Sequence, residues 1–359
     1  MKSILLASAS VFAFAGAAAA DGHAGVSFGG SATVGYNDVL EDGFYFDGNL
    51  AVTYSAALDN GLTAGVTFDI DVADDDGSIA LDSGNFLVTL SSDMATLSFG
   101  DIDPSAEGLW SGVDGSEVAG FNDYDTHIDT AGFEAVLRGD VNWNGWMASV
   151  SFGADVDGGN DLTGEVIDAA QAYVSGSFGA FGVMAAFQQE FGPTPQIIAV
   201  GASASFAGAD IMVAFEQDGT ETSYGASVAY PIGPVALGAY ATQNDVAGLA
   251  WGVSADYASG PITVAVAYDV DAGDDAGEGT AALDASYALG NGITILAGAE
   301  QSLVTDAPTL FYGAGSVDLG GGATFLLSYA DDGIDNNQGD ELGGPEYKEG
   351  LTAELSFTF

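Results

Sequence analysis

The chain has 359 residues, 48% of them hydrophobic and 15% charged, with 52 Asp and Glu against three Lys and Arg and a formal charge of −49. This wealth of aliphatic and aromatic side chains excludes an intrinsically disordered acidic chain, which lacks the apolar surface needed to offset the entropy of ordering. The negative charge excludes nucleic acid as a partner by repulsion, and because the chain has no cysteine, no disulfide framework holds it together.

The first twenty residues have the pattern of a secretory signal peptide. Lys2 gives a short basic start, residues 4–14 form a largely apolar run, and the alanines at 18–20 form a small-residue cleavage signal. A membrane anchor is the alternative, but the apolar run is short and no basic flank follows it. We therefore expect residues 1–20 to be removed on export and residues 21–359 to form a single domain.

Beyond this leader, apolar and polar residues alternate in segment after segment to the end of the chain. In the first segment Val26, Phe28 and Val34 share one parity, and Ser27 and Thr33 take the other. Successive strand residues face opposite sides of a sheet, so each segment has one apolar and one polar face. No run of about 18 apolar residues is present to form a transmembrane helix. The clearest segments are residues 26–36, 44–54, 62–70, 146–152, 224–230, 262–268 and 351–359.

Short turns alternate with longer acidic loops between these segments. Residues 59–61 and 290–292 are tight glycine turns, whereas residues 155–165 and 331–349 are long and acidic. A soluble β-sandwich shares the period of two, but short turns on one side and long polar loops on the other are the plan of an outer-membrane barrel. The sequence therefore predicts an all-β fold, a transmembrane antiparallel β-barrel with an even number of strands, about twenty by tally.

One connection, residues 101–130, is much longer than the others and shows no alternation. Loops of this length in compact structures are usually functional, and a large barrel leaves an open lumen unless something folds into it. Trp110, Phe121 and Tyr124 are apolar anchors among carboxylates, so we expect a constriction loop packed inside the barrel, with an exposed surface loop as the alternative. Its acidic residues are Asp101, Asp103, Glu107, Asp114, Glu117, Asp123, Asp125 and Asp129.

Stretches in and just before this loop resemble a known family. Residues 97–101, 105–107 and 117–123 resemble the strand and third loop of the general diffusion porins of Gram-negative bacteria, especially the type found in purple photosynthetic and related alphaproteobacteria. The alternating last strand, with Phe357 and Phe359, is similar to the signal read by the outer-membrane assembly machinery. The resemblance implies a homotrimer of barrels in the outer membrane, each with a third loop folded inward and sixteen strands, against the tally of about twenty.

Charged residues on the polar parity are expected to line the lumen. Carboxylate rings attract cations and repel anions, and low-dielectric walls strengthen the effect, so we expect a cation-selective channel; solubility in a saline medium is the alternative reason for the acidity. The family usually faces the acidic loop with clustered arginines, whereas here the field across the pore must be weak or carried by Arg138 alone. The predicted wall residues are Asp47, Asp69, Glu134, Arg138, Glu216, Asp256, Asp269, Asp284, Glu300 and Glu354.

Neither a cofactor nor an enzymatic activity is expected. Acidic runs at residues 74–76 and 331–340 could hold structural calcium, which takes oxygen ligands, but neither has the spacing of a calcium-binding loop. The only histidines are His23 and His127, which gives catalysis little support.

The expected function is an outer-membrane porin for passive diffusion of ions and small hydrophilic solutes. A structural or adhesive barrel, closed inside, is one alternative, but it would need bulky lumen side chains, whereas the inner parity is dominated by Gly, Ala, Ser and Thr. A substrate-specific channel is another, and it would need a row of lumen aromatics, which is present only faintly in Tyr45, Tyr173 and Tyr240.

Overall fold

The structure is a computed structural model whose described elements are all β-strands. It describes residues 24–40, 43–73, 86–113, 135–154, 167–190, 196–246, 248–271, 279–304, 307–331 and 347–359. In chain order the strands are β1 (Ala24–Asn37), β2 (Phe44–Ala57), β3 (Thr63–Ala73), β4 (Phe86–Ser91), β5 (Ala95–Gly100), β6 (Ala135–Trp143), β7 (Trp146–Ala154), β8 (Ile167–Phe178), β9 (Phe181–Glu190), β10 (Ile197–Phe206), β11 (Ala209–Asp218), β12 (Glu221–Ile232), β13 (Val235–Asn244), β14 (Gly248–Ser259), β15 (Ile262–Val270), β16 (Thr280–Gly290), β17 (Ile293–Ser302), β18 (Thr309–Gly320), β19 (Ala323–Asp331) and β20 (Gly350–Thr358).

Each strand pairs antiparallel with the next one along the chain, and the last strand returns to the first. On one side of β1, Thr33 lies opposite Asp47 of β2, and on the other side Thr33 lies opposite Ser356 of β20. The described strands therefore close into a single barrel of twenty. Closure leaves no sheet edge with unpaired backbone groups, which is the condition for spanning a membrane with strands.

The tally of about twenty strands is confirmed by the described part of the chain, and the sixteen implied by the family resemblance are wrong for this protein. The reason is that every alternating segment has its own turn and two hydrogen-bonded neighbours. Even β4 and β5, with six residues each, pair with β3 and β6 on their outer sides. A segment paired on both sides has its backbone groups satisfied and forms part of the wall.

Tight hairpin turns occupy one rim of the barrel. Asn144 and Gly145 join β6 to β7 with φ values of 50° and 79°, and Asn291 and Gly292 join β16 to β17 with φ values of 52° and 78°. Positive φ at both central residues is the type I′ geometry, whose twist matches that of the strands and which favours Asn-Gly. The opposite rim, hereafter the long-loop rim, carries the connection between β5 and β6, which begins at Asp101.

The two faces of the wall differ in chemistry. Phe28 and Val150 are about half exposed, at 53% and 49%, whereas Ser149 and Ser151, on either side of Val150, are buried. A soluble protein does not expose a continuous apolar surface of this kind, but lipid covers it on an outer-membrane barrel. The apolar parity is therefore the outer face and the polar parity the inner face. Among the described residues, no helix is long and apolar enough to cross a membrane.

Aromatic side chains gather at both rims of the outer face. Phe178 and Phe181 stack at 5.9 Å across the turn between β8 and β9. At the long-loop rim, Tyr36 and Phe44 meet edge to face at 5.2 Å. Aromatic rings at the two levels are typical of the girdles that mark the membrane interfaces of a barrel.

Candidate functional site

The start of the long third loop, residues 101–113, lies on the inner face of the wall; we call it the anchored segment. Its Ser105 backbone N–H donates to Ser151 Oγ at 2.7 Å, and the hydroxyls of Ser105 and Ser149 are bonded at 2.7 Å. Both wall serines belong to the inner parity of β7, so the segment enters the barrel rather than the solvent above it.

Gln171 of β8 bonds the next turn of the anchored segment. Its Oε1 accepts from the backbone N–H groups of Ala106 at 2.6 Å and of Glu107 at 3.1 Å. Its Nε2 donates to Gln188 Oε1 of β9 at 3.1 Å. Because Gln171 and Gln188 are buried, these bonds are shielded from water, and losing one would leave a buried donor without its partner.

An apolar contact holds the rest of the anchored segment. Trp110 packs with Tyr173, Ile197 and Ala199 on β8 and β10. Val113 is 1% exposed, and a Cβ added at Gly225 of β12 would lie 3.1 Å from its Cβ. The segment therefore runs along the inner wall from β7 to β12, and the predicted inward folding of the loop is confirmed for residues 101–113. Residues 114–130 lie outside the described residues.

Arg138 of β6 is placed under the anchored segment. Its Nε donates to Asp140 Oδ1 at 3.0 Å, in an ion pair, and its Nη1 donates to the Asp103 carbonyl at 3.1 Å. Arg138 lies on the same wall as the loop and its charge is compensated by Asp140. It therefore positions the loop, and a field across the lumen cannot be ascribed to it alone.

The predicted acidic residues divide into three groups. On the anchored segment, Asp101, Asp103 and Glu107 are exposed, on a backbone that is bonded to the inner wall. Six predicted residues lie outside the described residues, namely Asp114, Glu117, Asp123, Asp125, Asp129 and Glu134. The rest lie on the inner parity of the wall: Asp47 is exposed, Glu216 and Asp269 are buried, and Asp69, Asp256, Asp284, Glu300 and Glu354 are half-buried.

A repeated arrangement of three residues, here called a tyrosine rung, recurs on the inner wall. In each rung a tyrosine, a glycine and a carboxylate lie in register on three neighbouring strands, and the ring lies over the glycine. The rungs are Tyr45, Gly35 and Glu354; Tyr312, Gly298 and Asp284; and Tyr240, Gly252 and Asp269.

Hydrogen bonds complete two of these rungs. Tyr45 OH donates to Glu354 Oε2 at 2.7 Å, and Tyr312 OH donates to Asp284 Oδ1. Ser356 Oγ also donates to Glu354, at 2.6 Å. Sequence reasoning missed the rungs, because the three members are far apart in the chain and only the pairing register brings them together.

The tyrosines considered for a substrate-specific channel do not form an open row. Tyr45 and Tyr173 are buried, at 7% and 8% exposed. Tyr45 is bonded to Glu354, and Tyr173 is covered by the anchored segment.

The last strand is paired to its end. Phe357 and Phe359 are 44% and 47% exposed, and the backbone of Phe359 exchanges two hydrogen bonds with Gly30, at 2.9 and 3.0 Å. Their role as an assembly signal stays a prediction.

No group of three or more His, Cys, Asp or Glu side chains suited to a metal occurs in the described part of the chain. The acidic residues of the runs at 74–76 and 332–340 lie outside it. Calcium binding there stays a prediction, as does the expectation of no cofactor.

The chain was compared with solved structures, curated proteins and family models. A triple mutant of the porin of Rh. blastica is 15% identical, with a TM-score of 0.44, over 93% of this chain and 100% of that chain. A loop-deletion mutant of OmpT, an outer membrane protein of Vibrio cholerae, is 14% identical, with a TM-score of 0.41, over 94% of this chain and 100% of that chain. No curated protein matches this sequence. A family model described as Gram-negative porin matches residues 7–307. Since that match covers most of the chain, the protein belongs to the Gram-negative porin family of outer-membrane channels.

Proposed function

We propose that this outer-membrane porin passes ions and small hydrophilic solutes by passive diffusion and prefers cations. The observation that carries the proposal is the acidity of the inner face, from Asp47 on β2 to Glu354 on β20. Arg138 offsets little of this charge, because it is paired with Asp140. A negative lining concentrates cations and repels anions, and a low-dielectric wall strengthens the field inside the pore.

The small side chains of the inner parity support an open lumen. Gly, Ala, Ser and Thr dominate that parity, so water has room between the anchored segment and the wall on the other side of the lumen. A closed structural barrel would need bulky residues there. We propose a channel that acts without a cofactor and without enzymatic activity, in keeping with a family of channel proteins.

Charge removal on the anchored segment tests the cation preference. Asp103→Asn with Glu107→Gln should lower the ratio of cation to anion permeability, measured from reversal potentials in planar bilayers. Asp59→Asn, in the short turn between β2 and β3, is the control for lost charge away from the constriction. Glu117→Gln with Asp123→Asn should act in the same direction if those residues also face the constriction. An unchanged ratio in both double variants would contradict the proposed lining.

We further propose that the protein is a homotrimer, as the family resemblance implies, and that its apolar outer face contacts outer-membrane lipid and the neighbouring subunits. Detergent extracts should show an oligomer that dissociates on heating in gel electrophoresis. A strictly monomeric mass in mild detergent would rule the trimer out.

We also propose that residues 1–20 are removed when the protein is exported. Mass spectrometry of protein from outer membranes should find an N terminus at Asp21. An intact Met1 in membrane-inserted protein would contradict cleavage.

A further inference from the structure

A second piece of chain, besides the anchored segment, lies against the inner wall. Residues 347–349, which we call the closing segment, precede β20. Tyr347 is 5% exposed and its ring lies 4.9 Å from that of Tyr312. Ala314 and Ala330 complete this buried cluster. All three partners belong to the inner parity of β18 and β19, so the closing segment lies inside the barrel.

Lys348 places a positive charge beside this contact. Its Nζ lies 5.2 Å from the centroid of the Tyr45 ring, within the range of a cation–π contact. The Tyr45 ring is fixed in turn by its hydrogen bond to Glu354. Two tyrosine rungs thus support the closing segment, one through Tyr347 and the other through Lys348.

The inward course of the closing segment is built into the backbone. Asn37 Nδ2 donates to the Glu349 carbonyl at 2.7 Å and to Thr352 Oγ1 at 2.9 Å. Asp38 Oδ1 accepts from the Leu351 N–H at 2.6 Å. Gly350 has a φ of 85°, a left-handed conformation that other residues rarely adopt. The chain therefore turns at Gly350 from the inner wall into β20.

The closing segment and the anchored segment lie on different parts of the wall, with the lumen between them. The anchored segment packs on β8, β9 and β10. The closing segment packs on β18 and β19 through Tyr347 and reaches Tyr45 of β2 through Lys348. In the closed ring of twenty strands, β9 is ten strands from β19 and seven strands from β2. Both segments contact the wall near the long-loop ends of their strands, since Gln171 is the fifth residue of β8 and Tyr312 the fourth of β18, both counted from that rim.

We propose that residues 347–349 form a second wall of the pore constriction and that Lys348 supplies its positive side, facing the carboxylates of the anchored segment. This inference rests on the proposed channel and deepens it. Once residues 1–20 are removed, Lys348 and Arg138 are the only lysine and arginine of the chain, and Arg138 lies on the side of the anchored segment itself, where it donates to the Asp103 carbonyl. Lys348 moderates the cation preference that the carboxylates create.

Tyr347 contributes shape and no charge to this wall. Burial raises the pKa of Tyr347 to about 12, with the negative charge of Asp284 adding to the effect. Its phenol is therefore neutral at physiological pH, and the charged side chains of the closing segment are Lys348 and Glu349, of which Lys348 supplies the positive charge.

Neutralising Lys348 tests the proposal. In planar bilayers at low salt, Lys348→Gln should raise the ratio of cation to anion permeability about twofold or more, since the lost charge lies within a few ångströms of the permeation path. Asn60→Asp is the matched control: it lowers the net charge by the same unit in a short turn and keeps the acceptor for the Leu62 N–H. A shift no larger than that of Asn60→Asp would overturn the inference.

A thiol variant gives an independent readout, because the chain has no cysteine. Lys348→Cys should behave like Lys348→Gln, and an aminoethyl thiosulfonate reagent, which attaches a positive ammonium, should restore the wild-type ratio. A sulfonatoethyl reagent, which attaches a negative charge, should raise the ratio further. The same reagents on Asn60→Cys should leave the ratio unchanged. Unaltered ratio and conductance in the labelled Lys348→Cys variant would place Lys348 outside the constriction.

The two proposals fail in different ways. Suppose that the wild-type channel prefers anions while neutralising Lys348 still shifts the ratio toward cations. The proposed cation preference is then wrong, and the proposed role of the closing segment is supported. If the wild-type channel prefers cations and neither Lys348→Gln nor the thiol labels shift the ratio, only the proposed role of the closing segment is wrong.

Discussion

At the scale of single residues, glycines make room for the tyrosines that organise the inner wall. A Cβ at Gly298 would overlap the ring of Tyr312, and one at Gly35 would overlap the ring of Tyr45. The rings lie over these glycines, and their hydroxyls reach a carboxylate on the strand beyond. Each glycine thus determines where a lumen charge is held, although it has no side chain of its own.

Gly298→Ala is expected to destabilise the barrel by about 1–3 kcal/mol, as for other overpacking substitutions. The added methyl displaces the Tyr312 ring and breaks its bond to Asp284. The measurement is urea unfolding of protein refolded in lipid vesicles, followed by tryptophan fluorescence. Gly313→Ala, on the neighbouring strand, is the control, because a Cβ there meets nothing within 4 Å. Equal midpoints for the two variants would refute the role given to Gly298.

At the scale of elements, polar contacts decide how the loop enters the pore. The anchored segment is bonded through Ser105 to β7 and through its backbone to Gln171 of β8. Arg138 holds the Asp103 carbonyl. These bonds come from residues of the wall, so the loop is positioned by strands that are themselves fixed by pairing.

Gln171→Ala should loosen the anchored segment, because two backbone N–H groups lose their acceptor, at a cost of about 1–3 kcal/mol for each donor left buried. We expect noisier single-channel currents and a larger mean conductance. Ser175→Ala, on the same face of β8 but nearer the short-turn rim, is the matched control. Wild-type noise and conductance in the Gln171 variant would show that the loop is held by other contacts.

At the scale of the whole molecule, negative charge dominates the inner face of the barrel. Carboxylates are spread around the barrel. Of the two basic residues outside residues 1–20, Arg138 lies on β6 and Lys348 lies beside Tyr45 of β2. Such an arrangement makes permeation depend on solution conditions more than on any single contact.

The cation preference should weaken in strong salt and in acid. The screening length falls from about 10 Å at 0.1 M salt to about 3 Å at 1 M, so the permeability ratio should approach the ratio of free mobilities. Acid protonates carboxylates and removes their negative charge, so the ratio should fall as the pH falls. The ratio is measured from reversal potentials over a series of salt concentrations and pH values. A ratio independent of both would exclude electrostatic selection.

Much of this architecture follows from local patterns in the sequence. The alternation that includes Phe28 and Val34 predicts which residues face outward, and the spacing of the turns predicts the number of strands. The contacts inside the lumen do not follow, because they depend on register and closure. Tyr312 and Asp284 meet across Gly298, and Lys348 reaches Tyr45 only because β20 pairs with β1. The Asn-Gly pair at 144–145 is a hairpin signal that can be read from the sequence, and it marks the boundary between β6 and β7.

The sign of the reversal potential across planar bilayers that contain the protein tests the cation preference most directly. With a tenfold KCl gradient at neutral pH and about 0.01 M salt on the dilute side, where the screening length is about 30 Å, potassium should cross more readily than chloride. The dilute compartment is then predicted to become positive. A dilute compartment that becomes negative, which means that chloride crosses more readily, would contradict a lumen governed by its carboxylates.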